Sequence, residues 1–276
     1  MLVAGGVAAS ALASSCSLTT SLDGLAGQVV PEGDGGTDAG GDADGSSSGP
    51  DGSSGADGEA GAQGDGGDFC AGALFCDRFE RTTLVGDWTT QGTAAGSSLT
   101  LVPTAGRAGA SGLRVSLAPE QGTRAVLAKD ITVSTSRVRL AFAMFNPAGS
   151  AMRAVNGPAI LVNDGAIQDG ILLVLYGDHL ALAEQQFVNS AQVFYAERGM
   201  VNVIADRWID VVMELDRTSS PRKVTVSYDG KVFVDRVTLQ AAFAKAPNLV
   251  FFGSGFAAAG SAVAFDLDDV RIDALP

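Results

Sequence analysis

Lys223-Val-Thr-Val-Ser-Tyr228-Asp229-Gly230-Lys231-Val-Phe-Val-Asp235 is the stretch whose reading decides the fold. Val224, Val226 and Tyr228 stand two apart with polar residues between them. A period of two is the mark of a strand with one buried face. Asp229-Gly230 then separates two such runs. A two-residue Asp-Gly step is a hairpin signal, because both central residues of that turn take positive φ. The stretch predicts strands at Lys223–Tyr228 and Lys231–Leu239, joined antiparallel.

The same alternation spreads outward. In Trp208–Leu215, Ile209, Val211, Met213 and Leu215 are expected in the core, with Asp210, Glu214 and Asp216 toward water. Fourteen candidate strands run from Gly86–Thr90 to Ala262–Ile272, and only Gln240–Lys245 suggests a helix, a short one. So many short strands in residues 69–276 predict an all-β fold, one two-sheet antiparallel sandwich with no second domain.

The chain before Phe69 reads differently. It holds eleven of the 31 acids, and no Lys or Arg occurs before Arg78. Most of the net charge of −13 therefore belongs to this region, and the remainder, with 20 acids against 18 bases, is nearly neutral. No basic stripe is present, so nucleic-acid binding has no electrostatic support. Residues 17–68 are Gly, Asp, Ser and Ala with almost no apolar periodicity, too little apolar surface to offset chain entropy. They are expected to form a disordered acidic tether, with an r.m.s. span of roughly 35–42 Å by flexible-coil scaling. Asp42-Ala-Asp44-Gly45 opens like a calcium loop but lacks the closing Glu and flanking helices, so a solvated spacer is expected.

Residues 1–13 are apolar, small and uncharged, similar to the apolar region of a secretory signal peptide and too short to span a bilayer. No basic residue precedes the apolar run, which suggests a start farther upstream or a weak signal. Leu12-Ala13-Ser14-Ser15-Cys16 resembles a bacterial lipobox, although Ala13 stands where Leu is usual. Cleavage after Ala11-Leu12-Ala13 by the ordinary signal peptidase, or a stray cysteine, are the alternatives. The expectation is segment 1–16 as signal peptide and lipobox, lipidation at Cys16, and a secreted or envelope protein held at a membrane. Cys70 and Cys76, six apart at the domain edge, are expected to form a short disulfide loop in an exported chain. Two Cys and the lone His179 do not make a zinc site.

A family resemblance rests on three segments. Cys76-Asp77-Arg78-Phe79-Glu80-Arg81 with Gly86-Asp87-Trp88 resembles the opening of concanavalin A-like (laminin G-like) jelly rolls. Arg207-Trp208 through Asp216, followed by Val224–Phe233, is similar to that fold's central hairpin. Phe265-Asp-Leu-Asp268-Asp269-Val270-Arg-Ile272 resembles its last strand. The resemblance implies two antiparallel sheets with the opening and closing strands adjacent. It also implies that Trp88 and Trp208 pack in the core, and it opens the prospect of structural Ca²⁺ at Asp77, Glu80, Asp268 and Asp269. Members bind glycans, cleave them, or serve as adhesion modules, so the fold leaves function open.

No catalytic residue is nominated. Glu214 and Asp216 share a strand face, as paired carboxylates of glycosidases must. The third carboxylate of laminarinase-type enzymes is missing, with Ser219 in its place, and the pair lies within the strand after Trp208 rather than upstream of it. His179 is read as a turn residue, and Gly253–Gly260 lacks the parallel sheet of a nucleotide loop. Glycan recognition needs exposed rings beside polar groups, which nominates Tyr176, Tyr195 and Asn189 for ligand binding. The functional expectation is an envelope-anchored binding or adhesion module with glycan or another envelope protein as partner and no catalysis. The alternatives are a glycan-active hydrolase or lyase of the same fold, or a purely structural lipoprotein.

Overall fold

The computed structural model describes residues 69–84, 86–107, 111–146, 154–241, 243–260 and 263–276. The expected signal segment, Cys16 and the tether lie outside the described residues. Fifteen strands are present among them: β1 (Phe75–Asp77), β2 (Thr90–Thr93), β3 (Ser98–Val102), β4 (Gly112–Leu117), β5 (Thr123–Asp130), β6 (Arg137–Asn146), β7 (Val155–Asn163), β8 (Ile167–Leu175), β9 (His179–Val188), β10 (Ala191–Asn202), β11 (Arg207–Asp216), β12 (Lys223–Tyr228), β13 (Lys231–Thr238), β14 (Leu249–Ala257) and β15 (Val263–Leu275). The eight-stranded sheet runs β13-β12-β11-β6-β15-β4-β3, with β1 also paired to β15. The seven-stranded sheet runs β10-β9-β8-β7-β14-β5-β2. Among the described residues every strand pairing is antiparallel. The fold is the expected all-β, two-sheet sandwich.

The hairpin forms as its sequence dictates. Tyr228 pairs with Lys231, and Asp229 and Gly230 take φ of 45° and 72°. Alternation then decides burial. Ile209, Val211, Met213 and Leu215 of β11 are buried, as are Val138, Leu140, Phe142 and Met144 of β6. They face Ile171, Leu173 and Leu175 of β8 and Val250 and Phe252 of β14 across the single large core. The register is fixed because a one-residue slip would turn each of these rows to water.

The opening motif is a structural clamp. Phe75, Phe79 and Trp88 pack with Phe252 and Phe142, neighbouring ring centroids lying 4.8–6.3 Å apart. Asp77 accepts from Trp88 Nε1 at 2.7 Å, Arg81 Nη2 at 2.6 Å and the Phe79 N–H at 2.8 Å. Cys70 and Cys76 form the expected disulfide, with Cα atoms 5.5 Å apart. β1 pairs with β15 over Phe75–Ile272, Cys76–Arg271 and Asp77–Val270, so the opening and closing strands are adjacent.

Three expectations are corrected. Among the described residues of Gln240–Lys245 no helix forms. The Phe243 N–H is taken by buried Asp169 at 2.8 Å and the Ala241 N–H by buried Glu184, and Phe243, fully buried, has φ of 38°. Its backbone groups are spent on tertiary partners instead of on a helical ladder. Trp208 does not join the core: with Ile209 inward, the period of two turns Trp208 to the outer face, where it lies 5.8 Å from Phe145. Gly86–Thr90 is not a strand before Thr90, and the strand at this end of the domain is Phe75–Asp77.

Candidate functional site

The two outer faces differ in chemistry. That of the eight-stranded sheet is laced by ion pairs: Arg114–Asp266 at 2.7 Å, Arg107–Asp210, Arg137–Glu214 and Arg271–Asp273 at 2.8 Å. That of the seven-stranded sheet has an apolar floor of Ala128, Ala159, Leu161, Leu172, Val174, Ala181, Ala183 and Leu249, all buried. Beside this floor lies Gln185, 7% exposed, whose Oε1 has no hydrogen-bond partner among the described residues. Buried amide oxygens are nearly always satisfied, so a lone one marks a place for a partner group.

Because the floor is buried, the face presents its rim, at β10. Tyr195 and Met200 are 43% and 62% exposed. The turn from β8 to β9 closes with the Tyr176 N–H donating to the His179 carbonyl at 2.9 Å, which sets both rings on this face, stacked at 4.2 Å. Tyr195 pairs with Gln185 and Glu197 with Ala183 across β9, so both point outward. A register shift between Glu197 and Gly199 sets Arg198 apart from the ladder. Its guanidinium turns to buried Glu184, at 2.6 and 2.8 Å. The bulge thus leaves a carboxylate outside and withdraws the adjacent cation.

Glu197 joins the two nominated tyrosines. The Tyr176 hydroxyl donates to its Oε1 at 2.7 Å and the Tyr195 hydroxyl at 3.3 Å. Burial, and next the hydrogen bond to Glu197, push the Tyr176 phenol well above its ordinary value, so it remains a donor. His179 Nδ1 lies 2.6 Å from Asp178 Oδ1, and that contact holds the Asp178 carboxyl below the usual range. The result is a carboxylate fixed by two phenols, with one exposed ring and one half-buried ring beside it. Glu197 was not found from sequence, although the Tyr195-x-Glu197 spacing on one strand face was the signal.

The other nominees lie elsewhere. Asn189 sits with Ser190 in the β9–β10 turn, at φ of 50° and 66°, where its N–H donates to the Ala166 carbonyl at 2.7 Å. Along β9 it stands about 13 Å from Gln185, the partner of Tyr195, and about 30 Å from His179, at strand rise. Asp77, Glu80, Asp268 and Asp269 do not form one donor set. Asp77 is turned to Trp88 and Arg81, whereas Asp268 accepts from the N–H groups of Arg107 at 2.9 Å and Asp269 at 2.8 Å. Asp269, at the bulge of β15, lies 3.8 Å from Arg78. Among the described residues no group of three or more His, Cys, Asp or Glu side chains is arranged to hold a metal ion.

Glu214 and Asp216 share a face but are committed. Arg137 Nε reaches Glu214 at 3.1 Å, and Asp216 accepts from Thr218 Oγ1 at 2.6 Å and Arg236 at 3.3 Å. The Thr218 hydroxyl leads in holding Asp216 below the ordinary carboxylate range. Gly253–Gly260 is mostly strand β14. An open depression of about 810 Å³ lies at the opposite edge of the seven-stranded sheet, lined by Ala94, Gly96, Pro119 and Thr123, with Glu120 its charged residue.

No protein-family model matches the chain, and no curated protein matches it in sequence. Solved structures do. An endo-β-1,4-glucuronan lyase from the fungus Trichoderma reesei superposes with a TM-score of 0.51 at 12% identity, over 74% of this chain and 96% of that one. The cellulose-induced protein Cip1 gives 0.51 at 14% identity, over 73% and 97%. An engineered GH43 glycoside hydrolase, with endo-xylanase and exo-arabinofuranosidase activity, gives 0.51 at 12% identity over 74% of this chain. The match spans 41% of the hydrolase's length. At such identities the likeness is one of fold: a β-sandwich of jelly-roll type that these proteins share.

Proposed function

We propose that the chain is a glycan-binding module of concanavalin A-like (laminin G-like) type that engages its ligand at the β8–β9–β10 rim without turning it over. One observation carries this reading: Tyr176 and Tyr195, nominated for a groove, meet on the Glu197 carboxylate. Aromatic rings receive the C–H face of a sugar, and the fixed carboxylate accepts its hydroxyls. The unpartnered Gln185 oxygen adds a second acceptor. The sandwich shared with an endo-β-1,4-glucuronan lyase, and with part of a glycoside hydrolase of endo-xylanase and exo-arabinofuranosidase activity, fits a glycan ligand at the level of fold. In the same reading, Cys16 carries a lipid and residues 17–68 set the module off from a bacterial envelope membrane.

A glycan array followed by titration of the hits tests the binding role. Tyr195→Ala is expected to weaken binding about two- to tenfold, the worth of one ring contact, without lowering the melting temperature. Unchanged affinity in both Tyr195→Ala and Tyr176→Ala would refute this rim as the site. A second reading, a glycan-active enzyme, is favoured by the stacked Tyr176–His179 pair beside Glu197, groups able to move protons. Shortened oligosaccharide products, lost on Glu197→Gln, would decide for it. Partition of the full chain to membranes, lost on Cys16→Ser, tests the anchor.

A further inference from the structure

We propose, resting on the glycan reading of the same rim, that the site selects its sugar by charge, taking amino sugars before neutral ones and neutral ones before uronates. Both tyrosine hydroxyls donate to Glu197 Oε1, and among the described residues Oε2 has no partner. Gln185 Oε1 is unpartnered as well. What is left over is acceptor capacity, which a ligand meets with hydroxyl or ammonium donors.

The cations point the same way. β7, β8, β9 and β14 contain no Lys or Arg, and β10 contains only Arg198. Arg198 is spent on Glu184, which is fully buried, on the other side of the sheet. Among the described residues the rim's acidic groups are therefore Glu197 and Asp178, the latter 87% exposed and paired with His179, the basic side chain stacked on Tyr176. A uronate brings its carboxylate to a surface where no described guanidinium or ammonium receives it. An ammonium group meets Glu197 instead. Placing like charge opposite like charge is how an interface rejects a wrong partner.

The test is calorimetric titration of the full chain at pH 6 and physiological salt with three β-1,4-linked tetrasaccharides, of glucosamine, glucose and glucuronate. The glucosamine form is expected to bind about fivefold or more tightly than the glucuronate form, as for a partly exposed ion pair gained against one opposed. The gap should close in Glu197→Gln. Diffuse attraction to a chain of net charge −13 would hardly respond to one charge, so persistence of the gap in Glu197→Gln overturns the proposal. Equal binding of all three, or tighter glucuronate binding, overturns the charge selection and leaves the glycan reading standing. No binding by any of them removes both.

Discussion

Trp88 donates its indole N–H to the Asp77 carboxylate at 2.7 Å inside the domain, where both residues are nearly closed to water. Arg81 and the Phe79 N–H complete the same carboxylate. Removing it orphans a buried donor and a half-shielded guanidinium together. Asp77→Ala is expected to cost about 3 kcal/mol, with Asp77→Asn costing less because its amide oxygen still accepts. Denaturant unfolding followed by Trp88 fluorescence measures both, and equal stability of Asp77→Ala and the parent would refute the clamp.

Glu184 is a second buried anchor. It holds Arg198 at 2.6 Å and the Ala241 N–H of the segment between β13 and β14. Breaking a buried pair by deleting one partner costs about 3–5 kcal/mol. Glu184→Ala is expected to lose that much, and Glu184→Ala with Arg198→Met to recover part of it. Proteolysis of the native state should cut first near Lys245 in the single variant.

Gly253 crosses the seven-stranded sheet at φ of 115°, and a Cβ there would stand 2.5 Å from the Ala125 carbonyl oxygen. Neither the dihedral nor the contact accommodates a side chain. Gly253→Ala is expected to destabilise by about 3 kcal/mol or to prevent folding. A soluble variant with an unchanged melting temperature would contradict the close approach.

Asp268 predicts a pH dependence. Burial, with the Asp269 and Glu80 charges adding to it, pushes its carboxyl up to about 6 against two opposing backbone N–H groups. The folded state therefore holds the proton to higher pH than the unfolded chain does. Its share of stability is complete below pH 4 and is lost as pH rises through 4 to 6. Subtracting the melting curves of Asp268→Asn from those of the parent isolates it. A difference that does not fall over this window would refute the assignment. Calcium added at pH 7 examines the same carboxylates: a melting temperature raised in the parent and not in Asp268→Asn would show that they can serve as ligands.

Alternation made most of the sandwich legible. Val224, Val226 and Tyr228 or Ile209 to Leu215 declare an inward face by themselves, and Asp229-Gly230 declares its turn. Phe75–Asp77 did not declare itself, because three residues are too few for a period and their pairing with β15 is supplied from nearly two hundred residues away. Gln240–Lys245 misled because nothing local shows that Asp169 and Glu184 will claim its N–H groups. The site was half legible. Tyrosines can be nominated by composition, but that Tyr176 and Tyr195 share Glu197 depends on the β8–β9 turn and on the bulge at Arg198. Trp208 shows the reverse error, since the core position implied by the family resemblance conflicts with the parity that Ile209 sets.

The grip on the start of the domain has a mechanical meaning. Arg271 donates to the carbonyls of Phe69 and Ala71, the latter at 3.0 Å, and the Leu74 N–H donates to the Ile272 carbonyl at 2.8 Å. The Cys70–Cys76 crosslink short-circuits the loop between them. Tension arriving along the backbone ahead of residue 69 therefore bypasses that loop and loads β15, an interior strand flanked by β6 and β4. A pull from that side reaches β15 through β1, three residues at a border of the eight-stranded sheet, so that short ladder and the Arg271 contacts carry the load first, backed by a strand held between β6 and β4.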